Sequence, residues 1–132
     1  MKTVKYTIAI FLICGLGCCA ALRGRPTSAS DIPVAFQGEI MDSVCAQAGS
    51  HADVEHSKGI TGSKDCVLDC LKDGAVLVLH NPVNGSTYRL NTGEPIFSQD
   101  RLLDFAGAKV RIVGSLDENA GVIWHIQSVQ RL

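Results

Sequence analysis

The placement of three cysteines most constrains what this chain can fold into. Cys45, Cys66 and Cys70 follow an apolar N-terminal run, with His51 and His56 between the first and second. An odd count cannot be consumed by disulfides within the chain, so either one thiol is left over or the group serves another end. A domain of roughly one hundred residues buries a limited share of its surface and gains much from a staple. The three thiols therefore bear on fold and function together.

The residues ahead of them predict a compartment. Met1 to Thr7 carries Lys2 and Lys5 and no acid, Ile8 to Ala21 is apolar, and Arg23 and Arg25 end the run. A basic stub, an apolar stretch and small residues at Cys19-Ala20-Ala21 predict a signal peptide over residues 1–21. The stretch is shorter than the roughly 20 residues of a membrane-spanning helix. The expected location is exported, periplasmic or secreted.

Cys18 and Cys19 stand where a bacterial lipoprotein signal carries its lipidated cysteine, and such an anchor would be the only membrane attachment. The pattern departs from that motif, because Gly15 lies three residues before Cys18 and Cys18 directly precedes Cys19. Cys14, Cys18 and Cys19 read better as small apolar residues of a discarded signal. Residues 22–33, including Arg25-Pro26-Thr27-Ser28-Ala29-Ser30, predict a flexible linker.

From Asp31 onward the chain holds eight basic and 13 acidic side chains, a net charge of −5. That balance argues against a nucleic-acid partner, whose binding rests on phosphate neutralisation. An envelope protein is the partner class left open, and the oligomeric state is not specified.

The periodicity over residues 34–132 predicts one small, mainly β domain. Phe36, Gly38 and Ile40 alternate with Gln37 and Glu39, the period of a half-buried strand, with a bend or bulge expected at Gly38. Ala46 to Gly62 shows no apolar period, which is uncommon in a compact domain unless the segment is functional, tied down or mobile. Ser63 to Gly74 predicts a short helix capped by Ser63, with Val67, Cys70 and Leu71 on one face and Cys66 at its edge. Ala75 to His80 is a buried strand, and the Asn84-Gly85 turn leads to a strand over Ser86 to Leu90. The sequon Asn84-Gly85-Ser86 is explained well enough by that turn.

A second short helix is predicted from Ser98 to Gly107. Two further strands follow, Lys109 to Leu116 with Val110, Ile112 and Leu116 on one face, and Val122 to Val129. Five strands with a helix between the third and fourth match the chain order of an OB-like five-stranded β-barrel, here with a helical Cys-containing insertion between strands 1 and 2.

Two uses of the thiols fit this arrangement. In the first, Cys45 forms a disulfide with Cys66 or Cys70, contributing about 3 kcal/mol. Cys66 and Cys70 do not pair with each other, because Cβ atoms one helical turn apart are about 5–6 Å apart, whereas a disulfide needs about 3.5–4.5 Å. In the second, Cys45, Cys66 and Cys70 join His51, or alternatively His56, in a tetrahedral Cys3His site suited to Zn, while soft thiolates also accept Cu.

Enzymatic chemistry is the weakest class, confined to a thiol-dependent reaction at an unpaired cysteine. The chain has no Cys-x-x-Cys and no Cys-x-x-Cys-His. Ser50-His51 lacks a nucleophile elbow, and Gly59 to Lys64 lacks phosphate-loop spacing. Asp65 and Asp69 read as a solvated helix face, and His80 and His125 as structural histidines on strands.

Gly38-Glu39-Ile40-Met41-Asp42-Ser43-Val44-Cys45, the Cys66 and Cys70 pair, Val76 to Leu79, Tyr88-Arg89-Leu90 and Ala106 to Val110 resemble a family of small exported bacterial OB-like domains of unknown function. That family shows a G-x-I-x-D-S-x-C start followed by C-x3-C. The resemblance implies an exported OB-like domain with Cys45, Cys66 and Cys70 at family-type positions, His51 at a histidine often seen after the first cysteine, and no established activity. The expected function is a non-enzymatic exported domain whose Cys/His cluster binds Zn or Cu. The alternative is a disulfide-stapled envelope interaction module without a metal.

Overall fold

The computed structural model describes residues 32–51, 60 and 62–132. The expected signal peptide with Cys18 and Cys19, the linker up to Asp31, and His56 lie outside the described residues. Five strands and three short helices follow one another: β1 (Val34–Asp42), α1 (Ser43–Ala48), α2 (Ser63–Lys72), β2 (Leu77–His80), β3 (Thr87–Leu90), α3 (Gln99–Leu103), β4 (Lys109–Asp117) and β5 (Val122–Arg131).

The strands form one mixed sheet in the order β1-β2-β3-β5-β4, and β4 pairs back onto β1 to close the ring. Every neighbouring pair is antiparallel except β3 and β5. Closure gives every described strand two neighbours, although β3 and β5 meet over only Arg89–Leu90 and Val122–Ile123. The chain is thus mainly β, as its alternating segments predict.

The ring encloses a core that includes Ile40, Leu79, Leu102, Val110, Ile112 and Ile123, all buried. Each such side chain contributes roughly 1.5–3 kcal/mol when removed from water. Phe36 and Tyr88 pack against this core with ring centroids 5.4 Å apart.

A second, smaller core gathers Met41, Cys45, Ala46, Cys66 and Val78. Its position follows from strand alternation. Ile40 belongs to the core inside the ring and Met41 to the second; on β2, Leu77 and Leu79 belong to the first and Val78 to the second. Successive side chains point to opposite faces, so this corner of the sheet is covered on both sides. That is why Val76 to Leu79 reads as a continuous apolar run instead of an alternating one. Helix α2 joins the two cores, with Val67 in the first and Cys66 in the second.

Several local expectations are corrected. Ser43–Ala48 is a helix that apolar periodicity does not reveal, because six residues hold too few turns to show one. Gly62, not Ser63, is the cap residue of α2, and no side chain caps it. Strand β2 begins at Leu77, two residues later than predicted. α3 is half the predicted length, and Ser98 makes no side-chain cap bond.

Gly38 marks no bulge: its register with Val110 runs on unbroken to Glu39 and Lys109. A Cβ there would lie 2.5 Å from the His80 carbonyl oxygen, so the glycine permits close strand approach. The irregularity falls instead between Val113 and Ser115 of β4. Beyond it Ser115 is buried, and Leu116, partly buried, packs against the same core as Val110 and Ile112, as expected.

Candidate metal centre

The second core carries the site. Asp42 closes β1 opposite Leu77 and is fully buried. Its Oδ1 accepts hydrogen bonds from the backbone N–H groups of Val44 and Cys45, both at 2.9 Å, and so starts α1. This cap explains why the chain turns from strand to helix at Asp42-Ser43. Ser43 secures the turn, its N–H donating to the Val76 carbonyl at 2.9 Å and its Oγ accepting from the Val76 N–H at 3.2 Å. Cys45, in the first turn of α1, is thereby fixed beside the start of β2. Helix α1 ends at Gly49, whose N–H returns to the Ala46 carbonyl, and His51 follows.

Helix α2 brings Cys66 to the same place. Cys45 Sγ and Cys66 Sγ are 3.4 Å apart, and His51 Nδ1 lies 3.1 Å from Cys66 Sγ. One ligand atom each from Asp42, Cys45, His51 and Cys66 falls within 4.8 Å of the other three, so these residues could hold a metal ion. Asp42 Oδ2 is buried with no N–H or O–H group reaching it, and the side chains that approach the carboxylate are the weakly donating thiols of Cys45 and Cys70. A buried carboxylate oxygen that meets only weak thiol donors is costly, and a cation would reduce that cost. On the far side of the imidazole, Nε2 lies 3.4 Å from Glu39 Oε1.

The protonation of the thiols follows from this environment. Burial pushes the Cys45 thiol far above its ordinary range, and the neighbouring Asp42 carboxylate and Cys66 raise it further. Burial also raises Cys66. Cys70 is pushed up to about 11, first by burial and then by the negative charge of Asp42. These are thiols at neutral pH in the absence of an ion, and a bound divalent cation would expel their protons.

Three of the four favoured ligands, Cys45, His51 and Cys66, are thus brought together. Cys70 packs against the same core from one turn further along α2 but stands outside the group of four. The alternative ligand His56 lies outside the described residues. The fourth donor is Asp42, which neither the strand period nor the spacing of the cysteines singles out as a ligand. A signal was present: aspartate is a favoured N-cap residue, and capping turns its carboxylate toward the helix it starts and so toward Cys45 in the first turn.

Among the described residues, no disulfide links Cys45, Cys66 and Cys70. His80 is buried and its Nδ1 lies 2.9 Å from Thr87 Oγ1, a structural role. His125 is exposed and faces Glu94 at 3.2 Å. No helix among the described residues is long and apolar enough to cross a membrane. Comparison of the chain with protein-family models, curated proteins and solved structures found no match.

Proposed function

We propose that this protein is an exported OB-like domain that binds one zinc ion through Cys45, Cys66, His51 and Asp42. The observation that carries the reading is the fully buried Asp42 carboxylate within 4.8 Å of two thiols and an imidazole nitrogen. Two sulfurs, one nitrogen and one carboxylate oxygen are the mixed donor set that zinc accepts in tetrahedral sites. A carboxylate is a poor ligand for Cu(I), which favours thiolate, so copper is the weaker candidate. Four protein donors leave no open position, which is the pattern of a structural ion and not of a catalytic one. The ion would tie β1, α1, α2 and His51 into one unit.

Ring order β1-β2-β3-β5-β4, with α3 between the third and fourth strands, supports the OB-like reading. Export rests on the N-terminal basic and apolar pattern, and membership of the exported OB-like family rests on the G-x-I-x-D-S-x-C and C-x3-C resemblance. A domain without an enzymatic role then serves through an envelope protein partner.

The 3.4 Å separation of Cys45 and Cys66 supports a second reading, a disulfide clasp between them without metal. The full chain, produced through an export pathway, separates the two when metal content and thiols are measured on the same sample. One zinc per chain with all three downstream thiols reduced supports the metal centre. No metal, together with a Cys45–Cys66 disulfide, overturns it.

A further inference from the structure

Glu39 stands two residues before Met41 on β1 and so shares the sheet face that carries the second core. Its side chain is 24% exposed, and Oε1 lies 3.4 Å from His51 Nε2. The opposite ring nitrogen, Nδ1, is the one that lies 3.1 Å from Cys66 Sγ. A neutral imidazole carries one proton and offers one lone pair, and the partner of the protonated nitrogen decides which is which. Histidine ligands of metals generally donate their other N–H to a carboxylate or carbonyl, which fixes both tautomer and ring orientation.

We propose that Glu39 is the positioning residue of the centre, holding the Nε2–H of His51 so that the Nδ1 lone pair points at the ion. This rests on the metal reading above. The present 3.4 Å contact is roughly 0.5 Å longer than a typical N–H···O bond, and a small rotation of the partly exposed Glu39 side chain closes it. The same arrangement serves without an ion, because a Cys66 S–H facing Nδ1 also requires the proton on Nε2. Glu39 therefore sets the ring for the metal before it arrives. It needs no bond to the metal itself, and it is absent from the group of four donors.

The test uses the full chain and its Glu39→Ala, Glu39→Gln and His51→Ala variants. Zinc affinity is measured by competition with a chelator, and the His51 ring nitrogens are observed by ¹⁵N NMR in the metal-free chain. Glu39→Ala weakens zinc binding about 10- to 100-fold. Glu39→Gln, whose carboxamide oxygen still accepts Nε2–H, recovers part of that loss. In a His51→Ala background Glu39→Ala has no further effect, which a merely structural role would not produce. The metal-free wild type shows His51 protonated at Nε2, and Glu39→Ala loses that preference.

Wild-type affinity in Glu39→Ala, an additive loss in the double variant, or a wild-type His51 protonated at Nδ1 alone overturns the role of Glu39. If the wild-type chain takes up no zinc, the metal reading fails by itself. The NMR comparison then still decides whether Glu39 orients His51.

Discussion

His51 Nδ1 lies 3.1 Å from Cys66 Sγ, a contact between the segment that follows α1 and the first half of α2. It spans fifteen positions of the chain, and the Cys45–Cys66 contact spans 21. An ion at this point would close both loops at once. Its removal is therefore expected to affect fold and site together.

Zinc should raise the stability of the chain in proportion to its excess. A ligand that binds only the folded state adds about 2.7 kcal/mol at a free concentration 100 times its Kd. Thermal unfolding of the full chain with buffered zinc should show a rising midpoint, and Cys45→Ser or Cys66→Ser should abolish the rise. A midpoint equally responsive to zinc in both variants would exclude these thiols as ligands.

Asp42→Asn should weaken zinc binding while keeping the start of α1. The amide oxygen can still accept from the Val44 and Cys45 N–H groups, the role that Oδ1 plays at 2.9 Å. What is lost is the negative charge at the ion. Competition titration should show a clear drop in affinity, with metal-free stability within about 1 kcal/mol of wild type. Unchanged affinity would remove Asp42 from the ligand set.

Alkaline pH should destabilise the metal-free chain through its thiols. Cys45, Cys66 and Cys70 are all held above their ordinary value, so as pH rises the unfolded chain loses these protons first. The folded state then binds more protons than the unfolded state, and stability falls with pH. For Cys70 that contribution is intact below the ordinary value of 9.0 and is lost as pH climbs to about 11. Urea unfolding across this range should show a falling midpoint that Cys70→Ser makes shallower. An identical slope in the variant would show that Cys70 plays no part.

Gly107→Ala should disturb the site from a distance. Gly107 has φ +72, and a Cβ there would meet Ser63 Cβ at the first residue of α2. Its N–H also donates to the Ile40 carbonyl at 2.7 Å. Strain of this kind costs about 1–3 kcal/mol. Urea unfolding should register that loss, and displacement of α2 should weaken zinc binding through Cys66. Wild-type stability would mean that the start of α2 yields without cost.

Much of this protein is written locally. The alternation of Phe36, Gly38 and Ile40, the apolar run ending at Leu79 and the Asn84-Gly85 turn determine strands and their order, because a two-residue period and turn chemistry need no distant partner. The residue types Cys45, His51 and Cys66 likewise announce metal or disulfide chemistry. Tertiary structure alone decided which donors meet. Asp42 joins the site because its cap geometry buries the carboxylate against α2, and Cys70, one helical turn beyond Cys66, borders the four without lying within 4.8 Å of every one of them. Donor types follow from composition and spacing, whereas a coordination set is fixed by distances between elements. Those distances exist only once β1 and β2 pair and α2 packs across their outer face.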